Sequence, residues 1–361
     1  MRSTNCRKTF RLIAVLAAFI TVAFLIAGCN SGPGKTESSS VNGQKPGPVR
    51  IGFLLETLKE ERWLRDRDLF VEKAKELGAT VEIQVAEGND AVQLQQAENL
   101  LTKGIDVLVV VPHDGQVAAS IVDKATQANV PVIAYDRLIL NSDVALYVSF
   151  DNVRVGEMQA RYLLERAPKG NYLLICGSPT DNNAKLLYQG QMNVLKPAVD
   201  RGDIKIVAEQ WAANWQASEA MKHTENALTQ NNDNIVAVVA SADSVSRGVI
   251  QALDSRGLAG KVLVSGQDAD IVASQYVAQG KQTMTVYKPI KPLATAAAEA
   301  AVKLARGEKI DTGRTVNNGK IDVPSILLDP IIVDKNNLED TIIKDGYQKR
   351  DEVFKTAAAG S

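Results

Sequence analysis

From Val49 onward the chain alternates short apolar, β-branched runs with stretches whose apolar residues recur at helical spacing. The runs Val49–Leu55, Thr80–Ala86, Ile105–Val111 and Pro131–Tyr135 predict strands, and a helix follows each of the first three. Trp63, Phe70, Ala74 and Leu77 mark one helical face closed by Gly78. Leu94, Ala97 and Leu101 mark another, opening at Asn89 or Asp90 and stopping at Gly104. Asp106-Val107-Leu108-Val109-Val110-Val111 is apolar on both faces, as a buried parallel strand is. A less regular patch spans Val144–Asp151. The ladder then restarts, with strands near Asn171–Cys176, Ile204–Gln210, Asn234–Ala240 and Lys261–Ser265. Two ladders of similar layout predict two similar α/β lobes. Thr283–Pro289, an Ala-rich helix over Pro292–Arg306 and strand-like Pro324–Val333 are too few for a third domain, so they complete the two sheets and the chain crosses between lobes more than once.

The N-terminal pattern is different. Arg2, Arg7, Lys8 and Arg11 precede an apolar run from Leu12 to Ala27, too short to span a bilayer comfortably and ending in small residues, which predicts an export signal over 1–28. Ile26-Ala27-Gly28-Cys29 resembles a bacterial lipobox, so Cys29 is expected to be acylated and to hold the body at a membrane's outer face. Residues 29–48, rich in Ser, Gly, Pro and Lys, predict a flexible tether.

Of 361 residues, 45% are hydrophobic and 23% charged, enough for two cores without disulfides or metals. With 41 Lys and Arg against 42 Asp and Glu, and four of the basic residues in the export signal, the remainder is mildly acidic, which argues against a nucleic-acid partner. Cys176 is the one cysteine left in the folded body, so an internal disulfide is excluded there, and its apolar run predicts a buried, inert thiol.

In open α/β sheets ligands bind beyond the carboxyl ends of the strands. The residues there are Glu56 with Arg62-Trp63, His113-Asp114, Asp136-Arg137, Asp181-Asn182-Asn183, Trp211 and Trp215, Ser241 with Asp243, Gln267-Asp268, and Lys288. Carboxylates and amide carbonyls accept from hydroxyls, Arg and Lys donate to them, and indoles cover C–H faces, so this mixture suits a neutral polyol. Asp and Asn after strands are also common helix caps, and Trp211 and Trp215 have core packing as an alternative, so the reading rests on the coincidence across segments. No glycine-rich nucleotide loop follows the first strand, no GxxxxGK[ST] occurs, and His113 and His223 are the only histidines. Nucleotide cofactors, zinc clusters and Ser-His-Asp chemistry are therefore not expected, nor is a DxDxDG calcium loop present. A carboxylate pair for glycoside hydrolysis among Asp136, Asp243 and Asp268 stays open.

The collinear motifs Glu61-Arg62-Trp63 with Asp66-Arg67-Asp68, Ala134-Tyr135-Asp136-Arg137, Ser149-Phe150-Asp151-Asn152, Asp181-Asn182-Asn183-Ala184-Lys185, Ser265 through Asp270, and Thr283 through Pro289 carry a resemblance. From Val49 to about Tyr347 the chain resembles the D-xylose-binding proteins of bacterial ABC importers, within the ribose/galactose class of periplasmic sugar receptors. The resemblance implies the type I periplasmic binding protein fold: two Rossmann-like lobes with parallel sheets and a three-segment hinge near Asp151–Arg154, Val286–Lys288 and Asp322–Pro324. It implies an N-terminal lobe of 49–153 with 288–322, a C-terminal lobe of 154–287 with 323–350, and a tail of 351–361. It further implies that Arg62, Asp136, Arg137, Asn183, Asp268 and Lys288 hydrogen-bond an aldopentose, foremost D-xylose, between indole walls Trp63 and Trp215. Asp243 joins this set as the polar group beside Ala242, which stands where the family commonly has Asn; His113-Asp114 and Glu56-Thr57 replace Tyr-Asn and Asp-Asp pairs. The expected partners are a monosaccharide, ABC permease subunits and, through Cys29, a membrane; the expected body is a monomer without cofactor or metal and not an enzyme. A sensor feeding a chemotaxis or kinase receptor, or a receptor for another monosaccharide, are the alternatives. A sugar-responsive repressor would need an N-terminal helix-turn-helix where the export signal stands.

Overall fold

The computed structural model describes residues 47–355. The expected export signal 1–28, Cys29 and nearly all of the expected tether lie outside the described residues, as do positions 356–361 of the expected tail. Among the described residues no helix is long and apolar enough to cross a membrane.

The first ladder runs β1 (Arg50–Leu55), α1 (Glu61–Glu76), β2 (Thr80–Val85), α2 (Asp90–Thr102), β3 (Val107–Val110), α3 (Ala119–Gln127), β4 (Val132–Tyr135) and β5 (Leu146–Phe150). The second runs α4 (Asn152–Arg166), β6 (Gly170–Cys176), α5 (Asn182–Asp200), β7 (Ile204–Trp211), α6 (Ala217–Gln230), β8 (Ala237–Ala240), α7 (Asp243–Asp254), β9 (Leu263–Val264), α8 (Ile271–Gln279) and β10 (Thr285–Tyr287). Then follow α9 (Ile290–Ala305), β11 (Thr315–Asn317), β12 (Asp322–Leu328), β13 (Ile331–Val333) and α10 (Arg350–Val353).

One sheet has the order β11-β12-β5-β4-β3-β1-β2 and is parallel except for the β11–β12 pair. The other, β7-β6-β8-β9, is parallel throughout, and an antiparallel ribbon of β10 and β13 adjoins it through a bridge between Gln267 and Val286. Successive residues of β1 serve opposite faces: Phe53 packs with Phe70, Val109, Tyr135 and Leu293, while Leu54 packs with Leu100, Leu108 and Ile121. This two-sided burial is why the strands read as continuous apolar runs. In the second sheet Leu173 and Ile175 face one core, and Leu174 with Cys176 the other; the Cys176 thiol is free and buried.

Three features differ from the expectations. The patch at Val144–Asp151 contains a regular buried strand, β5, whose Tyr147 and Ser149 look irregular in sequence because both hydroxyls donate to the Asp136 carbonyl, at 3.1 and 2.6 Å. The last crossover lies at Asp329-Pro330 rather than Asp322–Pro324, since β12 pairs in parallel with β5 from Ser325 to Leu328 and so belongs to the first sheet. Pro324 does not break that strand because its pairing with β5 starts one residue later. Residues 351–355 are no free tail either: Val353 is buried among Tyr347, Ile342 and Val277, and Gln275 donates to the Glu352 carbonyl.

Candidate functional site

The carboxyl ends of both sheets face one cavity whose lining includes Arg62, Trp63, Asp136, Arg137, Asn183, Trp215, Asp268 and Lys288. Eight of the nine side chains expected to hold a ligand therefore converge, and Glu60, Asp181, Ala242, Ser244 and Gln267 complete the wall.

Arg62 and Trp63 enter from the first turn of α1, anchored because Asp66, one turn on, is fully buried and sits 3.2 Å from the Arg62 Nε. Tyr135 donates its hydroxyl to the same Asp66 carboxylate. The guanidinium then reaches Asp136 at 2.9 Å and Asp268 at 3.3 Å, and Lys288 Nζ lies 3.0 Å from Asp268 and 3.8 Å from Asp136. Burial pushes the Asp136 carboxyl up, but Arg62, Lys288 and Arg137 outweigh it and hold it below the ordinary carboxylate value. Asp136 Oδ1 has these cations as charge partners yet no hydrogen bond of good geometry, leaving an acceptor for a hydroxyl.

Arg137 bridges Glu56 at 3.0 Å and Asp181 at 2.9 Å. Burial raises the Asp181 carboxyl even though Arg137 and the Asn183 N–H counter it. Asp181 caps α5 through the Asn183 N–H and also accepts from the Trp215 indole N–H at 3.1 Å, so one carboxylate orients Arg137, Asn183 and Trp215 together. The Trp215 ring lies over Gly177, where any Cβ would come within 2.1 Å of it. The Arg62 guanidinium stacks on the Trp63 ring at 4.4 Å. Asp136, Trp215 and Asp268 all hold left-handed backbone, with φ of 61°, 56° and 92°, strain that persists where the surroundings over-determine it.

Asp243 is the exception among the expected ligand residues. Its carboxylate turns away from the cavity, accepting from Gln282 Nε2 at 2.8 Å, Thr285 Oγ1 at 2.9 Å and the Asp270 N–H at 3.2 Å. Its neighbours Ala242 and Ser244 line the wall instead. Burial, reinforced by Asp270, pushes the Asp243 carboxyl well above its ordinary value. The other strand-end residues have local roles: Asp114 caps the turn at Gln116 and Val117, Ser241 accepts from Gln191, and Trp211 packs on Tyr188. His113 lies 3.0 Å from Asp90 and 3.4 Å from Asn214 beside a second cavity that shares Glu60, Arg137 and Trp215 with the first.

The fold is matched by relatives. Residues 51–309 match the model of the periplasmic binding protein domain. The chain belongs to this periplasmic binding protein family. Over 305 residues, 84% of the chain and 92% of the relative, it is 53% identical to a D-xylose-binding periplasmic protein of Escherichia coli. It is 50% identical to one of Haemophilus influenzae over 85% of the chain and 92% of that protein. Among solved structures, a carbohydrate transporter solute-binding protein of Chloroflexus aurantiacus in complex with D-glucose superposes with a TM-score of 0.80 at 32% identity, covering 84% of this chain and 98% of that one. These family members are named as binding proteins rather than enzymes.

Proposed function

We propose that the protein is the solute-binding component of an ABC importer that encloses one aldopentose, D-xylose foremost, between its lobes and presents the closed form to a permease. The observation that carries this reading is the ion-paired cluster of buried Arg62, Asp136 and Lys288 with half-buried Asp268, lining one cavity together with Arg137, Asn183, Trp63 and Trp215. Its acids and bases nearly balance, so it suits a ligand that is neutral yet rich in donors and acceptors. The indoles provide apolar surface for the C–H faces of a ring. The names of the xylose-binding relatives, at half the sequence identical, support the choice of pentose.

Selectivity follows from burial: a sugar with a hydroxyl missing or inverted leaves a desolvated partner unpaired, at about 1–3 kcal/mol each. The protein acts by capture and release, with no bond made or broken. Titration calorimetry with xylose, ribose, arabinose, glucose and galactose tests the reading; xylose should bind most tightly, and no heat with any monosaccharide would overturn it. Export through the 1–28 signal and acylation of Cys29 complete the proposal, tethering a monomeric receptor near its permease. Cys29→Ser should move the protein from the membrane to the soluble fraction of its host, and an unchanged distribution would refute the anchor.

A further inference from the structure

Two amide side chains line the cavity, and they are used in opposite ways. Asn183 is committed to the protein at both ends: its Nδ2 donates to the Asp136 carbonyl at 3.0 Å and carboxylate at 3.2 Å, while its Oδ1 accepts from Asn152 Nδ2 at 3.1 Å. Gln267 is committed at neither. Its side chain makes no hydrogen bond with the described residues, its Oε1 is buried without a partner, and only 4% of the residue is exposed. The backbone around it is pinned, because its carbonyl accepts from the Asp243 N–H at 2.9 Å and the adjoining Asp268 N–H donates to Val286 at 2.8 Å. The same wall includes Ala242, whose side chain carries no polar atom to engage the amide.

Burying an amide without a partner is unfavourable, and folded proteins leave few such groups. An amide held this way, on a fixed strand end and facing a cavity, is organised for a partner that arrives from outside. We propose that Gln267 is a specificity-determining residue of this receptor, its Oε1 accepting from one sugar hydroxyl and its Nε2 donating to a neighbouring one. The inference rests on the sugar-binding reading and adds to it a contact with a vicinal diol, the group that an amide's paired acceptor and donor match.

The test is Gln267→Met, which keeps the side chain's length and removes both polar ends. Without sugar the variant should melt at or above the wild-type temperature, because an unsatisfied buried amide has been removed; a lower melting temperature would mean that the amide supports the fold, and would overturn the proposal. With xylose, calorimetry should show affinity reduced at least about tenfold, equivalent to about 1.4 kcal/mol. The 2-, 3- and 4-deoxy analogues then identify the contact. One or two of them should bind wild type weakly yet cost the variant nothing further, the non-additivity expected of touching groups. Wild-type affinity in the variant, or losses that multiply for every analogue, would refute the assignment. Absence of binding by the wild-type protein to any monosaccharide would instead refute the sugar-binding reading itself, so the two failures are distinguishable.

Discussion

Asp268 pairs with two cations: Arg62 on α1 of the first lobe at 3.3 Å, and Lys288 in the crossover after β10 at 3.0 Å. Removing its carboxylate leaves two buried cations with less compensation and, on the proposed binding mode, a sugar hydroxyl without its acceptor. Asp268→Ala should weaken xylose binding at least about tenfold, and so should Trp215→Ala, which removes an apolar wall. Calorimetric affinities unchanged in both would remove these residues from the site. Asp243 makes a different prediction because it serves the fold. Its carboxyl is raised by burial and by Asp270, so the folded state holds its proton at pH values where the unfolded chain has lost it. The contribution is complete below the ordinary value near 3.9 and declines as pH climbs toward the folded-state value. Relative to Asp243→Asn, which does not titrate there, wild type should lose up to about 1.4 kcal/mol of stability per pH unit through that window. Urea unfolding of both proteins from pH 4 to 8 measures the difference, and a flat difference would contradict the buried, proton-holding carboxyl.

Helices α4 and α5 approach closely enough that glycine is required at their crossing. A Cβ on Gly190 would stand 1.9 Å from the Val153 carbonyl oxygen, and one on Gly156 would stand 2.0 Å from that of Leu187. Both obstacles are backbone, so Gly190→Ala should force the helices apart and destabilise the protein by about 1–3 kcal/mol or more, seen as a lower urea midpoint. An unchanged midpoint would show that the crossing tolerates the shift. This crossing also shows where sequence reading stops. Strands buried on both faces declare themselves, and so did the helical faces around Phe70 and Ala97, because burial is written locally as period and composition. Elements whose polar residues satisfy remote partners do not: β5 was obscured by Tyr147 and Ser149 serving Asp136, and the sheet membership of β12 depends on a neighbour nearly two hundred residues earlier. The site followed the same division. Strand ends located the cavity, whereas the orientation of Asp243 toward Gln282 and Thr285, with Ala242 and Ser244 left facing inward, is set by partners distant in sequence.

At the scale of the described body, hydrogen bonds and ion pairs join the two lobes across the cleft. Asn183 of the second lobe donates to Asp136 of the first, Arg137 pairs with Asp181, and the Ile271 N–H at the start of α8 donates to Glu61 on α1. At the rim, Asn214 bridges back to the first lobe through its side chain to His113 and its carbonyl to Lys59, both at 3.4 Å. On the proposed capture mechanism the two lobes close by a hinge motion, and the rim contacts would add to that closure independently of the ligand. A sugar's apparent affinity is its intrinsic affinity scaled by the fraction of molecules able to close, so weakening the rim should weaken binding without touching the chamber. Asn214→Gly tolerates the left-handed backbone at φ 51° and removes the side-chain contact. The loss of one partly exposed hydrogen bond, about 0.5–1 kcal/mol, predicts affinity for xylose reduced roughly two- to fivefold. Small-angle scattering should show the same compact radius of gyration for both proteins at saturating xylose, with the variant requiring more sugar to reach it. Equal titration midpoints would place the closing force entirely in the sugar chamber.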